Sequence, residues 1–231
     1  VGRKMKNENN QINLTASRVG SYFNNECLRN LVYESAGKKL RKELDWPEPD
    51  GSNSASALAG NEWEQYLLSK LIMQSAKNES CVLYKANDGK FDVNETIDIL
   101  KHLSDLKAIS SIEGLDDSIE LSGRYKCIYI YQSSVRATES FSNEIGLSSY
   151  ANIGFSKEMY PDFLMAEYDE INDSYVITVI DVKGASHIKT NAQIQIALYA
   201  KMLDGIVKEN NIITITGHAG SNEYGKDIVC A

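Results

Sequence analysis

Prolines, cysteine pairs, long apolar runs and an excess of positive charge are all scarce or missing in this sequence. Three prolines among 231 residues, with no internal repeat, exclude a low-complexity chain. No apolar stretch approaches the roughly 20 residues that a membrane span needs, so no membrane partner is expected. The four cysteines, Cys27, Cys81, Cys127 and Cys230, form no C-x-x-C pair, which excludes a zinc knuckle. The opening "VGRKMKNENNQIN" carries bases but no apolar h-region. The expectation is an intracellular protein, cytoplasmic or nuclear/nucleoid and not secreted, with reduced thiols. Acidic residues outnumber basic ones, 32 to 24, for a net charge of −8. That balance argues against a general basic nucleic-acid binder. The bases do cluster at Lys38, Lys39, Arg41 and Lys42, and local patches matter more than the total.

What is present is an ordinary globular composition, 42% hydrophobic, able to bury a core. Residues 15–44 read as helical, with Thr15 or Ser17 as the cap and a break near Asn24–Glu26. Residues 45–56 form a Pro/Gly/Ser/Asp-rich loop. A second helix is expected over 55–76, with Leu58, Trp63, Tyr66, Leu67 and Leu71 on its apolar stripe. A strand at 81–86, a helix at 92–107 and a strand at 125–132 follow. Strands at 162–170 and 174–183 flank the hairpin-like turn "INDS". A helix over 190–205 capped by Thr190, and a strand at 211–218, complete the pattern. The order helix, strand, strand, strand, helix, strand implies an α/β sandwich with a mixed sheet.

The apolar run Val176–Ile180 ends abruptly in Asp181-Val182-Lys183. Ionised groups are costly in apolar surroundings unless paired, hydrogen-bonded or metal-bound. On a strand, Asp181 and Lys183 share one face while Ile180 and Val182 point into the core. The preceding strand opens with Pro161-Asp162, proline being tolerated at a strand start. If the two strands pair as a hairpin, Asp162 and Asp181 become neighbours. Two such carboxylates repel unless a cation lies between them, and hard divalent ions take oxygen ligands of this kind. Gln195 and Tyr199, four apart, share a face of the following helix. Gly60 and Glu64, one turn apart in "GNEWEQY", offer a third carboxylate, with Glu62 as its fallback. Taken singly, each fragment has an ordinary structural reading as a strand end, a turn or a helix surface. The ordered set is what carries information.

That set resembles the PD-(D/E)XK nuclease superfamily, and within it the RecB-like branch, which includes the RecB and AddB nuclease domains and the CRISPR-associated RecB-type exonucleases. Pro161-Asp162, Asp181-Val182-Lys183 and Gln195 to Tyr199 carry the resemblance. "LTASRVGSYFNNECLRNLVYE" (14–34) is similar to that branch's opening helix, although Leu28 stands where a proline is common after the cysteine. The likeness covers about 14–34 and 58–218, with 75–155 fitting poorly. It implies a restriction-endonuclease-like αβββαβ core over 51–231 with an insertion around 75–155, preceded by an N-terminal tail and helical segment at 1–50. It implies that Glu64, Asp162, Asp181 and the Val182 carbonyl hold Mg²⁺ or Mn²⁺. Lys183 would activate water, and Gln195 and Tyr199 would position water, lysine or the nucleic-acid backbone.

The implied activity is metal-dependent hydrolysis of DNA phosphodiesters, exonuclease-like on single strands or duplex ends. The implied partners are nucleic acid, DNA ahead of RNA, and a helicase or other protein of a larger complex. Many members also hold an iron–sulfur cluster, for which Cys27 and Cys230 are the candidate ligands here; the two further partners expected of such a cluster are missing. Two alternatives share the same features: a structure-specific or RNA-directed endonuclease, and an inactive nucleic-acid-binding or assembly module.

Overall fold

The computed structural model describes residues 12–47, 55–77, 81–86, 89–110, 127–156, 158–169, 171, 174–182, 189–212, 220–221 and 228–230. The N-terminal helical stretch is three helices: α1 (Ala16–Asn25), α2 (Leu28–Ser35) and α3 (Lys38–Glu43). Thr15 caps α1, its hydroxyl accepting from the Arg18 N–H at 3.2 Å. The break falls at Glu26, whose φ of 48° is left-handed and ends α1. Arg41 of α3 is buried. Its guanidinium donates to the Ala36 carbonyl at 2.9 Å, to the Pro47 carbonyl at 3.1 Å and to the Tyr33 carbonyl, and it stacks over the Tyr33 ring.

Next come α4 (Ala55–Lys77), β2 (Cys81–Tyr84), α5 (Val93–Ser110), β3 (Cys127–Tyr131), α6 (Glu139–Glu144), β5 (Phe163–Asp169), β6 (Ser174–Val182), α7 (Thr190–Glu209), β7 (Gly220–Ser221) and β8 (Ile228–Cys230). Two short strands outside this run, β1 (Ile12–Leu14) and β4 (Ile153–Phe155), pair in parallel with each other. The main sheet has the order β2-β3-β5-β6-β8-β7. Only β2 and β3 run parallel; the other pairs are antiparallel. The class is therefore α/β with a mixed sheet. The stretch 75–155 supplies two strands of that sheet and a helix of its core, since Val93, Ile97, Leu100 and Leu103 of α5 are buried.

Both faces of the sheet are covered. Tyr175, Ile177 and Val179 of β6 pack in one cluster with Ile196, Met202 and Ile206 of α7 and with the buried side of α5. Ile180 and Val182 pack in another with Phe163, Tyr131 and Leu68 and Leu71 of α4. Alternate residues of one strand thus feed opposite cores, as the two-residue period requires. Burial on both sides explains why β6 reads as a near-continuous apolar run rather than an alternation. One detail differs from the sequence reading. Helix α7 is capped by Lys189, with no side-chain cap bond, and Thr190 is its first helical residue. The strand expected at 211–218 lies mostly outside the described residues.

Helix α1 crosses α7 closely. A Cβ on Gly20 would sit 2.4 Å from the Asn191 carbonyl oxygen, so only glycine permits this approach. That crossing brings α1 to the end of α7 that carries Gln195 and Tyr199.

Candidate active site

The β5–β6 register pairs Phe163 with Ile180. Continued by one residue, it sets Asp162 opposite Asp181. The Val182 N–H confirms the alignment by donating to Asp162 Oδ2 at 2.5 Å. A carboxylate bonded to a main-chain donor at a strand end is held in one orientation. The neighbourhood expected from the hairpin is present.

Asp181 lies on the α7 side of the sheet and is 2% exposed. It is not at a solvated strand end; α7 roofs it. Gln195 Nε2 donates to Asp181 Oδ1 at 3.2 Å and reaches the Tyr199 hydroxyl at 3.4 Å. The four-residue spacing on α7 thus converges on the second aspartate, and Gln195 and Tyr199 are themselves buried. The Tyr199 hydroxyl is pushed up to about 12 by burial, with the charges of Asp181 and Asp162 adding to the rise; hydrogen bonds from Gln195 and Ser17 oppose it. Both aspartates therefore act on a single phenol, which stays protonated as a donor through the neutral range.

Glu64 approaches from α4. Gln132 Nε2 donates to Glu64 Oε1 at 2.7 Å, and the Gln132 main-chain N–H donates to the Asp162 carbonyl at 2.9 Å. Gln132 so joins α4 to the start of β5. It does this with φ of 48°, a left-handed conformation uncommon outside glycine and frequent at functional sites. Tyr131 precedes it, and its hydroxyl is pushed up to about 12 by burial, by its hydrogen bond to Glu64 and by the Glu64 charge; Gln65 opposes this and Asp162 adds to it. Tyr131 feels both Glu64 and Asp162, as Tyr199 feels both Asp162 and Asp181. Asp162 is the centre of the arrangement.

The donors present are hard carboxylate oxygens, of the kind that suits Mg²⁺ or Mn²⁺. Two aspartates placed opposite each other, one of them buried, gain from a cation between them. Among the described residues, however, no three His, Cys, Asp or Glu side chains stand together as a metal-holding group. The facing pair is Asp162 and Asp181, and Glu64 reaches it through Gln132 and Tyr131. Glu62 is exposed. Lys183 lies outside the described residues. Cys27 is exposed at the start of α2, whereas Cys230 lies on β8 opposite Ile180.

Sequence reasoning missed Tyr131, Gln132 and Gln65, and read Ser17 only as a helix cap, whereas it bonds to the Tyr199 hydroxyl. Nothing in "YIYQSS" marks Gln132, because its role depends on a backbone turn that glycine would ordinarily announce. No family model, no curated protein and no solved structure matches the chain.

Proposed function

We propose that this chain is a metal-dependent nuclease that hydrolyses phosphodiester bonds of DNA, with the restriction-endonuclease-like core and site of the RecB-like PD-(D/E)XK nucleases. The observation that carries the reading is the pairing of Asp162 with Asp181 across the β5–β6 hairpin, with Gln195 and Tyr199 meeting the second aspartate from α7. The meeting of these four residues at one place supports the reading over a chance occurrence of the separate motifs.

Asp162, Asp181 and the Val182 carbonyl would hold Mg²⁺ or Mn²⁺, with Glu64 joining from α4. A bound ion of this kind supplies charge neutralisation on the phosphate and an acidified water. The chain's own groups do the positioning. Val182 N–H fixes the Asp162 carboxylate. Gln195 fixes Asp181, and burial keeps Tyr199 protonated beside it. Lys183, two residues beyond Asp181, carries the proton-transfer or electrostatic role. Gln132 sets the distance of Glu64 from Asp162.

The test is cleavage of end-labelled single-stranded DNA, duplex DNA and RNA with Mg²⁺, Mn²⁺ or EDTA, comparing the native protein with Asp181→Ala and Lys183→Ala. Metal-dependent cleavage lost in both variants is the expected result, and the product ladder separates exonuclease from endonuclease. Cleavage that survives both substitutions, or none on any substrate, overturns the reading.

A further inference from the structure

Successive residues of a strand point to opposite faces. Tyr131, which ends β3, and Gln132, which follows it, nevertheless reach the same carboxylate. Gln132 Nε2 donates to Glu64 Oε1 at 2.7 Å, and the Tyr131 hydroxyl is hydrogen-bonded to Glu64 as well. The left-handed backbone at Gln132, with φ of 48°, breaks the alternation. Such a conformation persists only where its surroundings fix it. Gln65 Nε2 donates to the Tyr131 hydroxyl oxygen at 3.4 Å, which leaves the hydroxyl proton for Glu64. Two neutral donors thus clasp one half-buried carboxylate.

The clasp is anchored on the residue that carries the first aspartate, since the Gln132 main-chain N–H donates to the Asp162 carbonyl at 2.9 Å. Glu64 still does not stand with the aspartates: among the described residues, no three acidic side chains gather as a metal-holding group. The third carboxylate is therefore beside the pair and engaged by the protein's own donors. We infer that Gln132 is a positioning residue that holds Glu64 off the Asp162–Asp181 pair, so that Glu64 joins a divalent cation on the two aspartates only when this clasp opens. Opening has a cost, and apparent affinity falls by the fraction of molecules in which Glu64 is released. A residue that merely orients a ligand has the opposite sign, because removing it weakens metal binding. This inference rests on the nuclease reading of the Asp162–Asp181 corner.

The test measures metal binding apart from cleavage. Isothermal titration calorimetry with Mn²⁺, in the absence of nucleic acid, compares the native protein with Gln132→Ala, Glu64→Gln and Gln132→Ala/Glu64→Gln. Gln132→Ala is expected to bind Mn²⁺ about tenfold more tightly, the equivalent of one hydrogen bond to a charged group. The gain should vanish in the Glu64→Gln background, since it comes from releasing that carboxylate. Gln132→Gly relieves the left-handed strain and should tighten binding likewise, so the outcome does not depend on how well the alanine variant folds. Asp181→Asn should abolish binding with either residue at 132, which places the measured ion on the aspartate pair. Binding that is unchanged or weaker in both Gln132 variants, or a gain that persists without Glu64, overturns the clasp alone. No Mn²⁺ binding by the native protein or by Gln132→Gly, or binding that survives Asp181→Asn, overturns the metal site and with it the nuclease reading.

Discussion

Val182 donates its main-chain N–H to the Asp162 carboxylate at 2.5 Å, across the hairpin that sets Asp162 opposite Asp181. The bond ties a side chain of one strand to the backbone of the next, so the hairpin register and the orientation of Asp162 are fixed together. A slip of one residue would turn Asp181 from α7 towards α4 and separate it from Gln195.

Asp181→Asn keeps the shape of the site and removes one of two facing charges. Stability in EDTA should rise, because the repulsion between the facing carboxylates is removed, while cleavage is lost. Mn²⁺ should raise the melting temperature of the native protein and leave that of Asp181→Asn where it is. Melting curves with and without Mn²⁺ decide this, and equal metal-induced shifts in the two proteins would sink the idea.

Gln132 holds a left-handed backbone and bonds to Glu64. Gln132→Ala loses the bond and keeps the strain, whereas Gln132→Gly loses the bond and relieves the strain. The alanine variant should therefore be the less stable of the two by about 1 kcal/mol in urea titration. Equal stabilities would mean that the conformation carries no cost.

Gly20→Ala would place a Cβ 2.4 Å from the Asn191 carbonyl oxygen, a main-chain atom that cannot swing aside. The expected loss is about 1–3 kcal/mol, as for other overpacked contacts. Denaturant unfolding should show it as a lower midpoint, and an unchanged midpoint would contradict the close crossing of α1 and α7.

Tyr131 and Tyr199 both have hydroxyls raised to about 12 from an ordinary 10.0. A raised folded-state value means that stability is fully present below the unfolded value and is lost as pH rises through the folded one. Unfolding midpoints should fall between about pH 10 and 12, and the fall should be smaller in Tyr199→Phe. Ultraviolet titration of tyrosinate gives the same answer directly. Ionisation of all tyrosines near 10 in the folded protein would refute the shifts.

The helices and strands were legible in the sequence wherever burial leaves a period or a run. β6 stood out because both its faces are covered, and α7 because Gln195, Tyr199 and its apolar residues repeat at helical spacing. The facing of Asp162 and Asp181 followed from the short turn between two strands. Sheet order did not follow, since the parallel pairing of β2 with β3 joins strands separated by α5. The depth of Asp181 was also hidden: an Asp–x–Lys ending reads alike whether a helix covers it or water does. Gln132 was invisible because it acts through a backbone angle and a contact 68 residues away in sequence.

Arg41 meets its neighbours through carbonyl oxygens at Tyr33, Ala36 and Pro47. Every amino acid brings a carbonyl, so those three positions can change in kind without untying the knot. The ring of Tyr33 is the exception, since it also lies under the guanidinium. The α2–α3 segment should therefore tolerate wide drift around one arginine, and its architecture can outlast nearly all of its own sequence.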